Sequence, residues 1–455
     1  MKLKYQRLTY TLFFLIFFIG APALILYTAG YSYNFKANKL EKTGIISLDS
    51  RPQKASVSLD GKYYGQTPLR ITRLLPDEYS VVISKPGYYA WSKAMSVKSN
   101  LTTFFRDIIL FKKNLPTIQV EGNIIAISAS PNQERMVLII NDGKKDQLKM
   151  LSLKTGMFFD LDRFNNDTYN SIEFLSWSPE KNKILVRQKI GDFNKYLIVD
   201  TNTLKTKELL SVTKLNFEKI VWGGKTDNHL YGLRKNVIYY LELNSQSNKS
   251  LASGQISDFK VQDDWLYYIS KIDNNYYLTR KNLSDQALEE KIKLPGASDY
   301  TLENSPANYL TLLDQKNNDL FIITDQIFSS ENTENEIILQ AKAKDVFWSD
   351  DLKKIIYYNN SEIWTYNVET KKNQLINRYS SLINQVLWYP GNNYIIYQID
   401  DKIRVSETTE DGIKNDITLA KLSEIRQIAI DNTGKNIYFL GKAGLKQGIF
   451  QLVTQ

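Results

Sequence analysis

The chain has 455 residues, 43% of them hydrophobic, with 29 Tyr and 20 Phe. It is long enough for more than one domain and apolar enough to build cores, and its aromatic bias suits strands better than helices. Cysteine is absent and His229 is the single histidine, which excludes disulfides, thiolate metal sites and a histidine-pair zinc site.

The formal charge of +9 is unevenly placed: residues 1–116 hold 17 Lys/Arg against 6 Asp/Glu, and the remainder 41 against 43. A basic membrane-proximal segment would favour anionic lipid or an anionic cell-wall polymer. Nucleic acid is disfavoured, since the charge is spread along strands with no recognition helix or RNA-binding signature.

From Leu8 to Phe35 there is no Asp, Glu, Lys or Arg, and the centre reads Leu12-Phe13-Phe14-Leu15-Ile16-Phe17-Phe18-Ile19. About 20 apolar residues at 1.5 Å rise cross a hydrocarbon core of about 30 Å, so Thr9–Tyr31 is read as one transmembrane helix. Gly20 and Pro22 are tolerated better there than in a soluble helix, and Tyr27, Tyr31 and Tyr33 suit the headgroup layer. Lys2, Lys4 and Arg7 make a basic start, and Tyr27-Thr28-Ala29-Gly30 loosely resembles a cleavage site. The apolar core exceeds the roughly 7–15 residues of a secretory signal, which favours an uncleaved anchor. Lys36, Lys39 and Lys42 follow the helix, so charge bias barely orients it. Because only residues 1–8 precede it, a cytoplasmic N-terminus is expected, with the rest outside. Residues 32–43 are expected to form a polar spacer.

Residues 44–113 read as short strands and tight turns. Ala55, Val57 and Leu59 alternate with Ser56, Ser58 and Asp60; Tyr79, Val81 and Ile83 alternate with Ser80 and Ser84, with Val82 the exception. Period-two alternation means a sheet with one buried face, and Asp60-Gly61, Gly65-Gln66-Thr67-Pro68, Leu75-Pro76-Asp77 and Lys85-Pro86-Gly87 supply the turns. A small β-sandwich is expected. With Pro52-Gln53-Lys54-Ala55, Asp60-Gly61, Gly65-Gln66-Thr67-Pro68-Leu69, Leu75-Pro76-Asp77-Glu78-Tyr79 and Gly87-Tyr88, the segment resembles a PEGA domain. Gln53 and Lys54 depart from the naming tetrapeptide. Asp77 stands where the family usually has Gly, a position Asp can fill in the left-handed region. The resemblance implies an extracytoplasmic, surface-associated module with no catalytic residues. Tyr88-Tyr89-Ala90-Trp91 could form a saccharide platform, but packing of the sandwich is the stronger expectation. Asn114-Leu115-Pro116 reads as a linker.

From Thr117 to Gln455 a unit of strands and turns repeats. Ser130-Pro131, Trp177-Ser178-Pro179, Trp348-Ser349-Asp350, Trp388-Tyr389-Pro390 and Ile430-Asp431-Asn432 each precede an apolar strand. Fainter copies stand at Trp222-Gly223-Gly224, Gln262-Asp263-Asp264-Trp265 and Asn304-Ser305-Pro306. The turns recur every 39–48 residues, the period of four-stranded propeller blades. The repeats resemble the WD40-like repeats of TolB-type propellers. The fold class is therefore all-β after the anchor: a PEGA-like sandwich, then a propeller over 117–455 with eight blades, seven being the alternative. The last copy supplies only three strands, and Thr117–Glu121 is expected to complete it as the outer strand.

No catalytic set can be named. His229, in Asp227-Asn228-His229-Leu230, is expected on a surface turn rather than in a triad. Asn141-Asp142-Gly143-Lys144-Lys145-Asp146 lacks the remaining positions of a calcium loop, and Asp263-Asp264 and Asp350-Asp351 fall in hairpin turns. No metal or cofactor is expected, and the binding residues are not identifiable. The leading expectation is a non-catalytic, membrane-anchored surface protein whose propeller binds a protein or glycan. The alternative is a hydrolase or lyase using axial carboxylates, which a convergent acidic cluster with raised pKa values would favour.

Overall fold

The computed structural model describes residues 2–165, 168–224, 226–285, 287–295, 299–330, 336–409 and 414–455. The side chains of residues 2–8, among them the basic Lys2, Lys4 and Arg7, and that of residue 165 lie outside the described set. The chain divides into two compact units, residues 1–114 with 409–419 and 454–455, and residues 115–408 with 420–453.

In the first unit, α1 (Lys2–Thr28) contains the apolar run, with Thr9–Thr28 at a mean hydropathy of 2.2 and its side chains uncovered by protein. It is long and apolar enough to cross a membrane. It stops three residues before the expected Tyr31 because the chain caps there. The Ala29 N–H and Thr28 Oγ1 both donate to the Ile25 carbonyl, at 2.9 and 3.0 Å, and Gly30 takes φ +83°. The expected spacer is instead a hairpin, β1 (Tyr31–Asn34) against β2 (Lys39–Lys42).

Seven strands follow: β3 (Gly44–Arg51), β4 (Ser56–Leu59), β5 (Lys62–Gln66), β6 (Leu69–Leu74), β7 (Glu78–Ser84), β8 (Trp91–Ser96) and β9 (Thr102–Ile109). They form two sheets, ordered β6-β3-β9 and β5-β4-β7-β8, with β3 and β9 parallel. The alternation holds: Ala55, Val57, Leu59, Val81 and Ile83 are buried in one core with Ile46, Leu48, Trp91 and Met95, while Val82 stays partly exposed. Trp91 packs beside Phe105, ring centroids 6.1 Å apart, so it serves the sandwich and not a saccharide platform. Asp77 does not take the left-handed conformation. Its carboxylate accepts the Glu78 N–H at 2.9 Å and its carbonyl the Val97 N–H at 2.9 Å, which fixes the turn without a Gly.

Eight four-stranded antiparallel sheets follow from Thr117 as the blades of a ring. The first strands are Asn123–Ala129, Ser171–Trp177, Lys219–Trp222, Gln255–Gln262, Tyr300–Glu303, Asp345–Trp348, Ile383–Trp388 and Ser423–Ile430. All eight expected turns fall between a blade's first and second strands. The five clear copies share one geometry. Ser130, Ser178, Ser349, Tyr389 and Asp431 each accept a backbone bond from the residue three on, which is left-handed (Gln133, Lys181, Leu352, Asn392, Gly434). Each also donates its own N–H to the carbonyl five residues on. In four of them the side-chain oxygen accepts a bond from the N–H of the residue five on, at 3.1, 3.0, 2.9 and 2.9 Å.

β10 (Thr117–Glu121) pairs antiparallel with the last strand, Lys446–Val453, from Thr117↔Gln451 to Glu121↔Gly448. It is the outer strand of blade 8, as expected. Ile124, Met136 and Leu138 of blade 1 share a core with Tyr438, Leu440 and Ile449 of blade 8, so the ring is closed by apolar burial as well.

Candidate functional site on the propeller axis

Neighbouring first strands are joined by side chains that read each other's backbone, and this places them around the axis. Asp258 Oδ2 accepts the Leu302 N–H at 2.8 Å; Gln385 exchanges two bonds with the Ile428 backbone, at 2.8 and 3.0 Å; Gln427 Oε1 accepts the Ile127 N–H at 2.9 Å. Tryptophans at first-strand ends reach back one blade. The indole N–H of Trp177 donates to Ser128 Oγ at 3.0 Å, of Trp222 to the Ser176 carbonyl at 3.3 Å, of Trp348 to Thr311 Oγ1 at 3.3 Å, and of Trp388 to the Phe347 carbonyl at 3.2 Å. With N–H groups so engaged, what these rings can still offer a ligand is their aromatic surface.

An axial cavity of about 560 Å³ is lined by the first strands of blades 2 to 5 and by Arg187 and Tyr196 from the second and third strands of blade 2. Trp177 and Trp222 line it, with Arg187, Lys219, Lys260, Glu303 and Asn304. Lys219 is paired with the nearly buried Asp258 and sits 5.6 Å over the Phe259 ring; Arg187 is paired with Glu173. Lys260 Nζ donates to the Glu303 carbonyl at 3.0 Å and to Ser305 Oγ at 2.7 Å. Burial pushes its ammonium down to about 8, against the opposing charge of Glu303. Of the axial carboxylates, Asp345 is held above the usual range, chiefly by burial, with Glu303 adding to it. Its Oδ1 accepts the Val346 N–H at 2.8 Å. The lining thus combines aromatic surface with the ion-paired cations Arg187 and Lys219, with Lys260 and with the Glu303 carboxylate. A second cavity of about 620 Å³ between blades 4 and 5 is apolar or aromatic apart from Lys293 and brings no polar groups together.

The residues singled out in the sequence fall elsewhere. His229 opens a strand rather than a turn, half-buried, its Nε2 3.5 Å from Glu242 Oε1 and its ring 5.5 Å from Tyr240. Asn141 and Asp142 spend their oxygens on the turn itself: Asn141 Oδ1 accepts the Gly143 N–H, and Asp142 Oδ1 those of Lys144 and Lys145. Asp263, left-handed at φ 50°, and Asp264 make a two-residue turn between paired Gln262 and Trp265, and Asp351 accepts from Ser349 Oγ at 2.7 Å. Among the described residues no His, Asp and Glu cluster could hold a metal ion. Sequence reasoning missed Lys219, Asp258, Lys260 and Arg187. The available signal was charge within or beside apolar first strands, such as Asp258 and Lys260 flanking Phe259.

Residues 43–109 match the PEGA domain. The chain carries a PEGA domain. That domain spans the sandwich strands β3 to β9. No curated protein sequence matches the chain. Among solved structures, a crystal structure of a eukaryotic initiation factor aligns at 12% identity over 74% of this chain and 87% of that one, TM-score 0.51. Porphyromonas gingivalis dipeptidyl peptidase 4 aligns at 10% identity over 74% of this chain and 60% of that one, TM-score 0.49. An oligogalacturonate lyase in complex with manganese aligns at 10% identity over 74% and 98%, TM-score 0.41. At 12% identity the likeness to the initiation-factor structure is one of fold alone.

Proposed function

We propose that the chain is a membrane-anchored, extracytoplasmic surface protein that binds, without catalysis, a protein or cell-envelope glycan at the axial face of its propeller. One observation carries the reading. The axial cavity offers Trp177 and Trp222 together with Arg187, Lys219 and Lys260, while Asp258 is neutralised by Lys219 and held by the Leu302 N–H. Aromatic surface with hydrogen-bonding side chains suits a polar ligand, with Lys260 the cation not paired to a carboxylate; acid–base catalysis would need carboxylates converging on one reacting atom. The basic PEGA-bearing segment, residues 36–113, adds attraction to anionic lipid or wall polymer, which salt screens over about 8–10 Å.

The test is calorimetry of the full chain in nanodiscs against solubilised envelope glycan fractions and their protein components. Binding is expected, and Trp222→Ala should weaken it at least about tenfold, the scale of one aromatic stack. Ligand turnover by the wild-type chain that Asp345→Asn or Glu303→Gln abolishes would establish the enzyme reading instead. Binding that Trp222→Ala leaves untouched would remove the axial cavity from the site.

A further inference from the structure

We infer that the hairpin β1–β2 lies in the phospholipid headgroup layer as an amphipathic foot, its aromatic face toward the acyl chains; this rests on the membrane-anchor reading of α1. The cross-strand register sorts its side chains. Tyr31 faces Lys42 and Tyr33 faces Leu40 on one side; Ser32 faces Glu41 and Asn34 faces Lys39 on the other. The second side is knitted into polar contacts, Asn34 Nδ2 to Glu41 Oε2 at 2.7 Å and Lys39 Nζ to Glu41 Oε1 at 2.6 Å. The first side ends in Phe35, 87% exposed, whose ring meets Tyr33 edge-on with centroids 5.0 Å apart, while Tyr33 and Leu40 remain 42% and 45% exposed. Apolar rings left outside the protein at this density mark an interaction surface.

What covers them follows from attachment. Only Ala29 and Gly30 separate α1 from β1, and the far end of the hairpin is tied to the same point: the N–H and the Oγ1 of Thr43 both donate to the Gly30 carbonyl, at 2.8 and 2.9 Å. Arg73 stacks its guanidinium 3.5 Å over the ring of Tyr27 in the last helical turn, which fixes that end further. A spanning α1 therefore sets both ends of the hairpin at the boundary of the hydrocarbon core. Four residues of strand extend about 13 Å, more than the roughly 5–7 Å depth of one headgroup layer, so a hairpin lying along the surface stays within it. Tyr rings favour that layer, and on the hairpin Lys36, Lys39 and Lys42 outnumber the one acidic residue, Glu41, leaving net positive charge for anionic headgroups. The placement holds for either orientation of α1.

The chain has no cysteine, so Ala37→Cys introduces a unique attachment point beside the tip and leaves Tyr33, Phe35 and Leu40 intact. A nitroxide there is examined in the full chain, in nanodiscs of phosphatidylcholine and phosphatidylglycerol, by its relaxation with oxygen and with a neutral nickel chelate. Labels at Leu445→Cys, fully exposed on the propeller, and at Ile16→Cys, in mid-helix, set the aqueous and hydrocarbon limits. The expected result is nickel accessibility severalfold below that at position 445, which Phe35→Ser in the same background restores. A label at 37 as accessible as that at 445, while the one at 16 is shielded, overturns the foot and leaves the anchor standing. An aqueous label at 16 overturns both.

Discussion

Gly448 occupies the point where the ring closes, and its backbone has no space for a side chain. A Cβ there would stand 1.8 Å from the carbonyl oxygen of Val120 in the closing strand. Gly448→Ala must therefore push β10 away from the last strand, and a loss of about 2–3 kcal/mol is expected from overpacking of this severity. Gly441→Ala, on the same blade, meets only ordinary contacts from 3.4 Å outward and should melt near the wild type. Calorimetric melts of the two variants separate crowding at the seam from a general effect of glycine loss. Lys260 offers a test by pH. With its ammonium lowered to about 8 from 10.5, it is charged below that value and neutral above it while the chain is folded. Affinity of the axial cavity for an anionic ligand should thus fall as pH rises through about 8, and Lys260→Met should flatten the profile. Stability moves oppositely: from about 8 toward 10.5 only the unfolded chain keeps this proton, so raising pH relieves the desolvation penalty. A pH-independent titration of ligand by the wild type would contradict the role given to Lys260.

At the scale of elements, β10 decides whether the propeller is a ring or an open arc. Without it the last strand of blade 8 keeps one edge unpaired, and Val120 leaves the shared core of blades 1 and 8. Deleting 117–121 is expected to lower the melting temperature by roughly 10 °C or more and to promote aggregation, since several backbone bonds and one apolar seam are lost together. An unchanged melt would mean that the seam between blades 1 and 8 holds on its own. This strand was legible in the sequence because an alternating segment stood before the first turn while the last repeat lacked a strand. The clarity of each blade in the sequence has the same physical origin. Five turns use one hydrogen-bonded loop whose slots favour Ser, Asp, Pro and Asn, so they leave a recognisable string. The three faint copies are different turns: a Gly223-Gly224 corner pressed against Tyr231, a two-residue turn at Asp263-Asp264, and a Pro306-to-Tyr309 loop with Asn308 left-handed. The hairpin β1–β2 escaped because its polar turn and lysines read as spacer, whereas its register depends on pairing that composition does not display.

For the whole molecule, the apolar helix and the order of domains were written in long apolar or periodic stretches, but the axial cavity was not. Its residues come from blades 2 to 5, more than 100 residues apart from Trp177 to Glu303, and each alone looks like an ordinary strand residue; only the packing of successive blades around the axis makes them neighbours. The same distribution bears on where the protein works. A basic PEGA-bearing segment beside a helix apolar enough to cross a membrane, followed by a near-neutral propeller, is the charge order that the proposed topology requires if the first domain is to face anionic lipid and the second a separate partner. The proposed topology places residues 1–8 in the cytoplasm and all that follows α1 outside, with α1 retained. Protease added to intact cells whose outer barrier has been opened should therefore digest the propeller, and intact-mass measurement of the membrane-extracted chain should find α1 still attached. A tag fused before Met1 should resist the same protease until the membrane is broken. Full protection of the propeller under these conditions, with the tag degraded, would invert the topology. A mature chain starting after Ala29 would replace the anchor with a cleaved signal, and the lipid contacts argued for β1–β2 would lose the tether that imposes them.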